Sequence, residues 1–234
     1  QTCALPISAL ARKKRVDSSD KPHSEDLREK LLAEILKHVA FDGWTDKTLH
    51  DAAAHLKLDE AQARIAFPRG IVDAITYFSH QADDEAEALI LKADLKSMKV
   101  RERVTFAVRT RIEVIAQHKE AARRGAALFA LPQHALDGAS CVYRTCDMIW
   151  RAIGDTSTDF NFYTKRGLLS GVVTSTMLFW FGDSSEDFEE TWKFLDRRIA
   201  DVMQIEKVKS AVLKAASGLP NPLTILGALR YPRS

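Results

Sequence analysis

Apolar residues recur every three or four positions along most of the chain, which is the spacing of amphipathic helices. The first helix is predicted to begin at a Ser24 cap and to end before Gly43. Its inner face contains Leu27, Leu31, Ile35 and Val39. No alternating strand pattern of useful length follows anywhere in the sequence. The pattern therefore predicts an all-α fold.

Residues 45–67 are predicted to form two short helices around a tight turn. Thr45 and Asp59 are suited to cap them, and Pro68 and Gly70 end the second. The inward positions are Leu49, Ala52, Ala53 and Leu56 in the first helix, and Ala61, Ala63, Ile65 and Phe67 in the second.

Longer helical patterns follow. A fourth helix starts near Ile71, and a fifth has an inner face of Val100, Val104, Val108, Ile112 and Ile115. The opposite face of the fifth carries Arg101, Arg103, Arg109 and Arg111, a pattern typical of a solvated surface. Two helical patterns, 121–131 and 136–153, are separated at Pro132.

Residues 167–182 carry no charge, yet the run is shorter than the roughly 20 apolar residues that cross a bilayer. Such a helix is typical of the centre of a bundle. Ser184 is predicted to cap the last body helix. The inner face of that helix contains Phe188, Trp192, Leu195, Ile199 and Val202.

The formal net charge of +2 over 234 residues hides an uneven distribution. Residues 1–23 carry +3, residues 204–234 carry +4, and the body between them carries −5. The body thus lacks the positive field that attracts nucleic acid. Residues 1–23 are expected to be a disordered basic tail, with a targeting remnant or non-native sequence as the alternatives.

No motif for chemistry is present. Phosphate-binding glycine loops, nucleophile elbows, HExxH and Glu-x-x-His motifs and zinc-type cysteine spacings are all missing, so we predict neither a catalytic residue nor a metal site. Cys3, Cys141 and Cys146 fit no zinc or thioredoxin spacing, and Cys141 and Cys146 are expected to be buried thiols in a reducing compartment.

The sequence after the breaker at residues 217–220 predicts a short apolar helix that begins at Asn221-Pro222. Its candidate membrane contacts are Leu223, Ile225, Leu226, Leu229 and Arg230. The basic charge of 204–234 favours an anionic bilayer as the partner. Docking of this helix on the body is the alternative.

Residues 45–67, with the string Thr48-Leu49-His50-Asp51-Ala52-Ala53, resemble the helix–turn–helix of TetR-type repressors. This resemblance implies an all-helical ligand-binding body and, as one candidate function, a ligand-responsive transcription regulator. The chemistry argues against DNA binding, because the segment has a net charge of −1 and its recognition helix begins Asp59-Glu60, with Arg64 as its only basic residue. No nucleic acid partner is expected.

Two further strings, residues 155–166 and 183–195, together with Gly43-Trp44-Thr45, resemble the coenzyme Q biosynthesis accessory lipid-binding family, whose fold is TetR-like. The resemblance implies a non-enzymatic protein without cofactors that holds an isoprenoid lipid or phospholipid. It also implies that the protein presents the quinone intermediate to the di-iron demethoxyubiquinone hydroxylase, beside a membrane.

The hydroxylase-binding patch of that family maps onto Asp159, Asn161, Phe162, Tyr163 and Arg166. Members of the family often carry Trp at the position of Phe162. Aromatic residues beside an arginine also have the composition of an interface hot spot. The alternative is that Phe160 and Tyr163 pack under the preceding loop.

The lipid pocket is predicted between the fifth helix and the last two body helices. The candidate lining is Val108, Ile112, Met148, Leu169, Val173, Met177, Trp180 and Phe181. The predicted organisation is a tail over 1–23, a degenerate helix–turn–helix over 24–70, a lipid-binding body over 71–205, and a linker with a membrane helix over 206–234. TetR-like bodies often dimerise, so a homodimer is expected. The expected location is the bacterial cytoplasm at the inner membrane, or alternatively the matrix face of the mitochondrial inner membrane.

Overall fold

The structure, a computed structural model, describes residues 20–156 and 160–217, with side chains over 25–156 and 162–204. All regular structure within these ranges is helical, which confirms the all-α prediction. The basic tail up to residue 19, Asp159, the side chain of Asn161 and the predicted membrane helix lie outside the described residues.

Long helices joined by short turns make up the described chain. They are α1 (Asp20–Asp42), α2 (Asp46–His55), α3 (Glu60–Ala66), α4 (Ile71–Lys92), α5 (Val100–Val114), α6 (Lys119–Phe129), α7 (Ala135–Ala152), α8 (Phe160–Gly182) and α9 (Glu189–Ser217). Short 3₁₀ turns lie over Leu95–Ser97, Ala116–His118, Pro132–His134 and Glu186–Phe188. The chain divides into two compact units, one up to Ala74 and one from Ile75.

The first unit packs α1, α2 and α3 together, and the predicted caps of α2 and α3 are confirmed. Thr45 Oγ1 accepts a 3.1 Å hydrogen bond from Thr48 N, and Asp59 forms a reciprocal capping box with Gln62. Ser24 is not a cap, because α1 already begins at Asp20. Gly43 ends α1 as predicted, with a φ of +75° that favours glycine.

The predicted inner face of α3 is wrong at two positions. Ile65 is 66% exposed and Ala61 is also exposed, whereas Ala63, Ala66 and Phe67 are buried. At 3.6 residues per turn, positions 63, 66 and 67 share one face, and position 65 lies on the opposite side. The four predicted positions are spaced two residues apart, which is the period of a strand and not of a helix.

The second unit buries one apolar core between α5, α7, α8 and α9. The predicted spacing of α5 is confirmed at Val104, Val108, Ile112 and Ile115, while Val100 in the first turn is exposed. Leu195 and Ile199 of α9 are buried, and Phe188, Trp192 and Val202 are half-buried against the same core.

Two expectations for α8 and α9 need correction. The uncharged helix α8 is not buried all round, because Leu178 is 62% exposed and Phe179 stacks on Phe194 at the surface with ring centroids 4.5 Å apart. Ser184 does not cap α9. Asp183 accepts hydrogen bonds from Ser185 N, Thr191 N and Thr191 Oγ1, and Ser185 Oγ accepts one from Glu190 N, so these two residues stabilise the first turn of α9. Within the described ranges, no helix is both long and apolar enough to cross a membrane.

Candidate functional site

A cavity of about 400 Å³ lies inside the second unit, between α4, α5, α6, α7 and α8. Its volume falls in the roughly 300–1,000 Å³ range of small-molecule pockets. Large apolar side chains form much of its wall. They are Ile75, Phe78, Ile115, Phe129, Val142, Val173, Met177, Leu178 and Phe181.

Small residues on two neighbouring helices create this space. Those lining the cavity from α6, α7 and their flanking turns are Ala121, Ala122, Gly125, Ala126, Ala130, Ala135, Gly138 and Ala139. On α6 they recur at a helical spacing, so their short side chains share one face. Gly138 also brings α7 close to α6, since a Cβ built there would lie 2.8 Å from Phe129 Cβ. The cavity therefore exists because alanine and glycine side chains leave this space between the helices unfilled.

The cavity has one strongly polar corner, at Arg111. This side chain is 5% exposed, and its Nε donates a 2.7 Å hydrogen bond to the fully buried Asp83 Oδ1. Arg111 Nη2 also donates to Ser79 O at 3.1 Å. Arg111 Nη1 is buried and makes no hydrogen bond within the described part of the protein. The expected solvated face of α5 is therefore wrong at Arg111, which is buried and lines the cavity.

Asp83 is held from two further sides. Thr145 Oγ1 donates a 2.8 Å hydrogen bond to Asp83 Oδ1, and Arg144 Nε lies 3.4 Å from Asp83 Oδ2. Arg144 also pairs with Asp84 on the surface. These partners offset the cost of burying the Asp83 carboxylate and fix the corner between α4, α5 and α7.

The thiols of the second unit are buried and free, as predicted. Burial raises the pKa of Cys141, which lines the cavity, and raises the pKa of Cys146 to about 11. Both thiols are therefore protonated near neutral pH. Burial also lowers the pKa of His118, whose ring meets Phe78 edge-on with centroids 6.1 Å apart. An apolar environment thus suppresses charge around the cavity.

Three of the eight predicted lining residues, Val173, Met177 and Phe181, lie on the cavity wall. The other five, Val108, Ile112, Met148, Leu169 and Trp180, are buried in the packed core instead. The cavity lies towards α6 and α7 and not towards α9. The many alanines and glycines over 121–139 are the sequence feature that indicates this cavity. Small residues on facing helices leave space that large side chains would fill.

The cavity wall reaches the surface on one side. Ala130, Ala135, Ala139 and Leu178 line the cavity and are also exposed. Leu136, in the first turn of α7, is 86% exposed, and Leu131 just before the 3₁₀ turn is exposed as well. The mouth of the cavity therefore has an apolar rim.

The predicted partner patch lies at the start of α8. Tyr163 is 69% exposed and meets the half-buried Phe162 ring edge-on. Arg166 is only 3% exposed, because its guanidinium pairs with Asp147 at 2.7 Å and lies 3.4 Å from the Phe162 ring centroid. Arg166 thus fixes the position of the Phe162 ring, and Tyr163 is the more exposed of the two aromatic residues.

The surface of α3 carries little unpaired positive charge. Arg64, its only basic residue, pairs with Glu60 at 2.7 Å, and Asp59 caps the end of the helix that would approach the backbone. A phosphate would meet carboxylates there.

A family model described as COQ9 matches residues 135–206, which correspond to α7, α8 and most of α9. The ubiquinone biosynthesis protein COQ9, mitochondrial, of Rattus norvegicus is 31% identical over 214 residues, which cover 87% of this chain and 68% of the relative. The human protein of the same name is 29% identical, covering 87% and 67%. The Dictyostelium discoideum protein named probable ubiquinone biosynthesis protein coq9, mitochondrial, is 27% identical, covering 80% and 63%.

Among solved structures, a TetR transcriptional regulator from Nitrosomonas europaea ATCC 19718 is similar, with a TM-score of 0.61. The match covers 75% of this chain and 97% of the regulator, at 18% sequence identity. The fold is therefore TetR-like, as the helix–turn–helix string predicted.

Proposed function

The chain belongs to the COQ9 family of ubiquinone biosynthesis proteins, and we propose that it acts there as a non-enzymatic carrier that binds an isoprenoid lipid. In this proposal it presents the quinone intermediate to the di-iron demethoxyubiquinone hydroxylase. The supporting observation is the apolar cavity of about 400 Å³ with a single buried guanidinium on its wall.

The composition of the wall suits a prenylated ring. Burial of apolar tail surface contributes about 25 cal/mol per Å². A ring with carbonyl or hydroxyl oxygens can form hydrogen bonds, and the wall places Arg111, Ser79 and Thr145 together at one corner. The ring is therefore proposed to lie at the Arg111 corner, and the apolar tail along the rest of the wall.

The cavity wall offers little for catalysis. Its ionisable side chains, among the residues the structure describes, are Arg111 and Cys141. Arg111 is paired with Asp83, and the raised pKa of Cys141 keeps its thiol protonated. Neither group is suited to move a proton at neutral pH. These properties favour a carrier, without cofactors of its own, over an enzyme.

Presentation requires a partner surface and access to lipid. Tyr163 and Phe162, placed by Arg166, are proposed to contact the hydroxylase, and the sequence resemblance adds Asp159 and Asn161 to this proposed patch. The apolar rim of the cavity suits lipid entry from a bilayer. Membrane attachment through residues 219–234 and assembly as a homodimer are further parts of the proposal, and both rest on the sequence.

The names of the relatives bear on location. The rat, human and Dictyostelium proteins are all named as mitochondrial, which supports the mitochondrial alternative over the bacterial cytoplasm. We therefore propose that the protein acts at the matrix face of the mitochondrial inner membrane.

One assay tests carriage and presentation together. Hydroxylase turnover of a demethoxyubiquinone in liposomes is measured with and without this protein. Ala126→Phe fills the cavity, whereas Ala127→Phe adds the same ring to a neighbouring exposed position. Ala126→Phe is expected to remove most of the stimulation and Ala127→Phe to preserve it.

The same assay tests the contact surface. Tyr163→Ala is expected to weaken stimulation by about tenfold, a loss of about 1.4 kcal/mol of binding. Tyr143→Ala removes another exposed tyrosine, on α7, and serves as its control. Equal stimulation by all four variants would show that neither the cavity nor α8 takes part.

A further inference from the structure

A separate group of potential ligands lies in the first unit. Glu34 and His38 stand one turn apart on α1, and His55 at the end of α2 lies across from them. One ligand atom from each of the three residues lies within 4.8 Å of the others. The signal in the sequence is the spacing of four residues between Glu34 and His38, to which the fold adds a third side chain.

The distances fit metal coordination better than hydrogen bonding. Glu34 Oε1 lies 3.4 Å from His55 Nδ1 and 3.7 Å from His38 Nε2. Good N–H···O hydrogen bonds measure about 2.7–3.2 Å. Ligands of a tetrahedral zinc ion, at about 2.0–2.2 Å from the metal, stand about 3.3–3.5 Å from one another. Small rotations of the two imidazoles would complete such a geometry.

The surroundings are suited to a divalent cation. His38 and His55 line a small cup of about 170 Å³ together with Asp42 and Asp51. Lys37 Nζ donates a 2.5 Å hydrogen bond to the second oxygen of Glu34, so Oε1 is the oxygen that lies near the two imidazoles. Lys37 is itself 65% exposed and free to swing away, and Lys47 pairs with Asp51 at 2.7 Å.

We propose that Glu34, His38 and His55 form a zinc-binding site that joins α1 to α2. Two imidazoles and one carboxylate are a typical ligand set for zinc, whereas calcium and magnesium prefer oxygen ligands alone. The fourth position is available to water or to Asp51, which lines the same cup. The site is distinct from the cavity, since all its residues belong to the unit that ends at Ala74.

The proposal is tested by titrating metal-stripped protein with Zn²⁺ in a calorimeter, which records the heat of binding. The wild type is expected to bind one Zn²⁺ per protein chain. His38→Ala and His55→Ala are each expected to weaken the binding by about tenfold or more. His50→Ala removes an exposed histidine five positions from His55, on another face of α2, and is expected to bind like the wild type. Lys37→Met is expected to bind more tightly, because a repelling charge is gone.

A second readout uses Co²⁺ in place of Zn²⁺, since tetrahedral cobalt absorbs visible light strongly. His38 and His55 are partly or fully exposed, so circular dichroism of their variants is expected to match the wild type. Absence of Zn²⁺ binding, or equal losses in His50→Ala and His55→Ala, would overturn the proposal.

Discussion

Arg111 shows how one buried side chain can organise a site. Its guanidinium joins α5 to Asp83 of α4, and Thr145 of α7 donates to the same carboxylate oxygen. Removing one member of a buried pair leaves an uncompensated charge, which costs far more than losing an exposed pair. The corner therefore positions three helices around the cavity as well as facing it.

Arg111→Met is expected to destabilise the protein by about 3–5 kcal/mol, because Asp83 remains buried. The double variant Asp83→Leu/Arg111→Met is expected to lose less than the single one. Urea denaturation measures both. Arg109→Met breaks a pair that is 47% exposed on both sides, and is expected to cost about 1 kcal/mol or less. Equal losses in Arg111→Met and Arg109→Met would contradict the account of the corner.

The sequence alone could not identify Arg111 as buried. Its position on α5 is one residue before the buried Ile112 and three after the buried Val108, at the border between the apolar and polar faces. Which side a border residue takes depends on whether a neighbouring helix offers a counter-charge. Asp83 does so from 28 positions away, and a local periodicity contains no trace of that contact.

At the scale of the element, the turn between α8 and α9 depends on Asp183. Its carboxylate accepts hydrogen bonds from Ser185 N at 2.8 Å and from Thr191 N at 2.9 Å, and so stabilises the start of α9. Desolvation by burial opposes ionisation, but the hydrogen bonds from Thr191 and Ser185 outweigh it and hold the pKa of Asp183 below its ordinary range.

Asp183→Asn is expected to cost about 1–2 kcal/mol at pH 6, because both carboxylate oxygens accept hydrogen bonds and an amide has only one acceptor oxygen. Because the pKa of Asp183 is lowered in the folded protein, its contribution is present above the ordinary pKa of 3.8 and is lost as the pH falls through the folded value. The stability gap between wild type and Asp183→Asn should therefore be full at pH 6 and smaller at pH 3.

Urea denaturation at the two pH values measures this gap. Glu186→Gln, an exposed acid in the same turn, is the matched control and should change stability little at either pH. A gap for Asp183→Asn that stays constant from pH 6 to pH 3 would contradict the role of its charge.

Helix positions were predictable where local signals act alone. Thr45 and Asp59 cap α2 and α3 as their sequences indicate, because a cap bonds to residues three positions away. The exposed face of α8 was not predictable, because residues 167–182 carry no charged side chains that would mark the solvent-facing side of the helix. The small residues of α6 point to close packing or to a cavity, and only the fold distinguishes these outcomes.

At the scale of the whole molecule, one fold supports two kinds of function. The TetR-like architecture comes with a helix–turn–helix, yet Arg64 of α3 is paired with Glu60 and the helix begins with acids. The second unit instead holds a cavity whose wall is apolar except at the Arg111 corner. Membership in the COQ9 family places the chain in ubiquinone biosynthesis, and the apolar cavity supports the proposal that it carries a lipid there.

The most direct test is mass spectrometry of the lipid extracted from purified protein, compared with extracts of Ala126→Phe and Ala127→Phe. An isoprenoid lipid is expected in extracts of the wild type and of Ala127→Phe, and about tenfold less or lower still in extracts of Ala126→Phe, where the new ring occupies the cavity. Wild-type protein that carries no lipid and takes up none from liposomes containing ubiquinone would contradict the central claim.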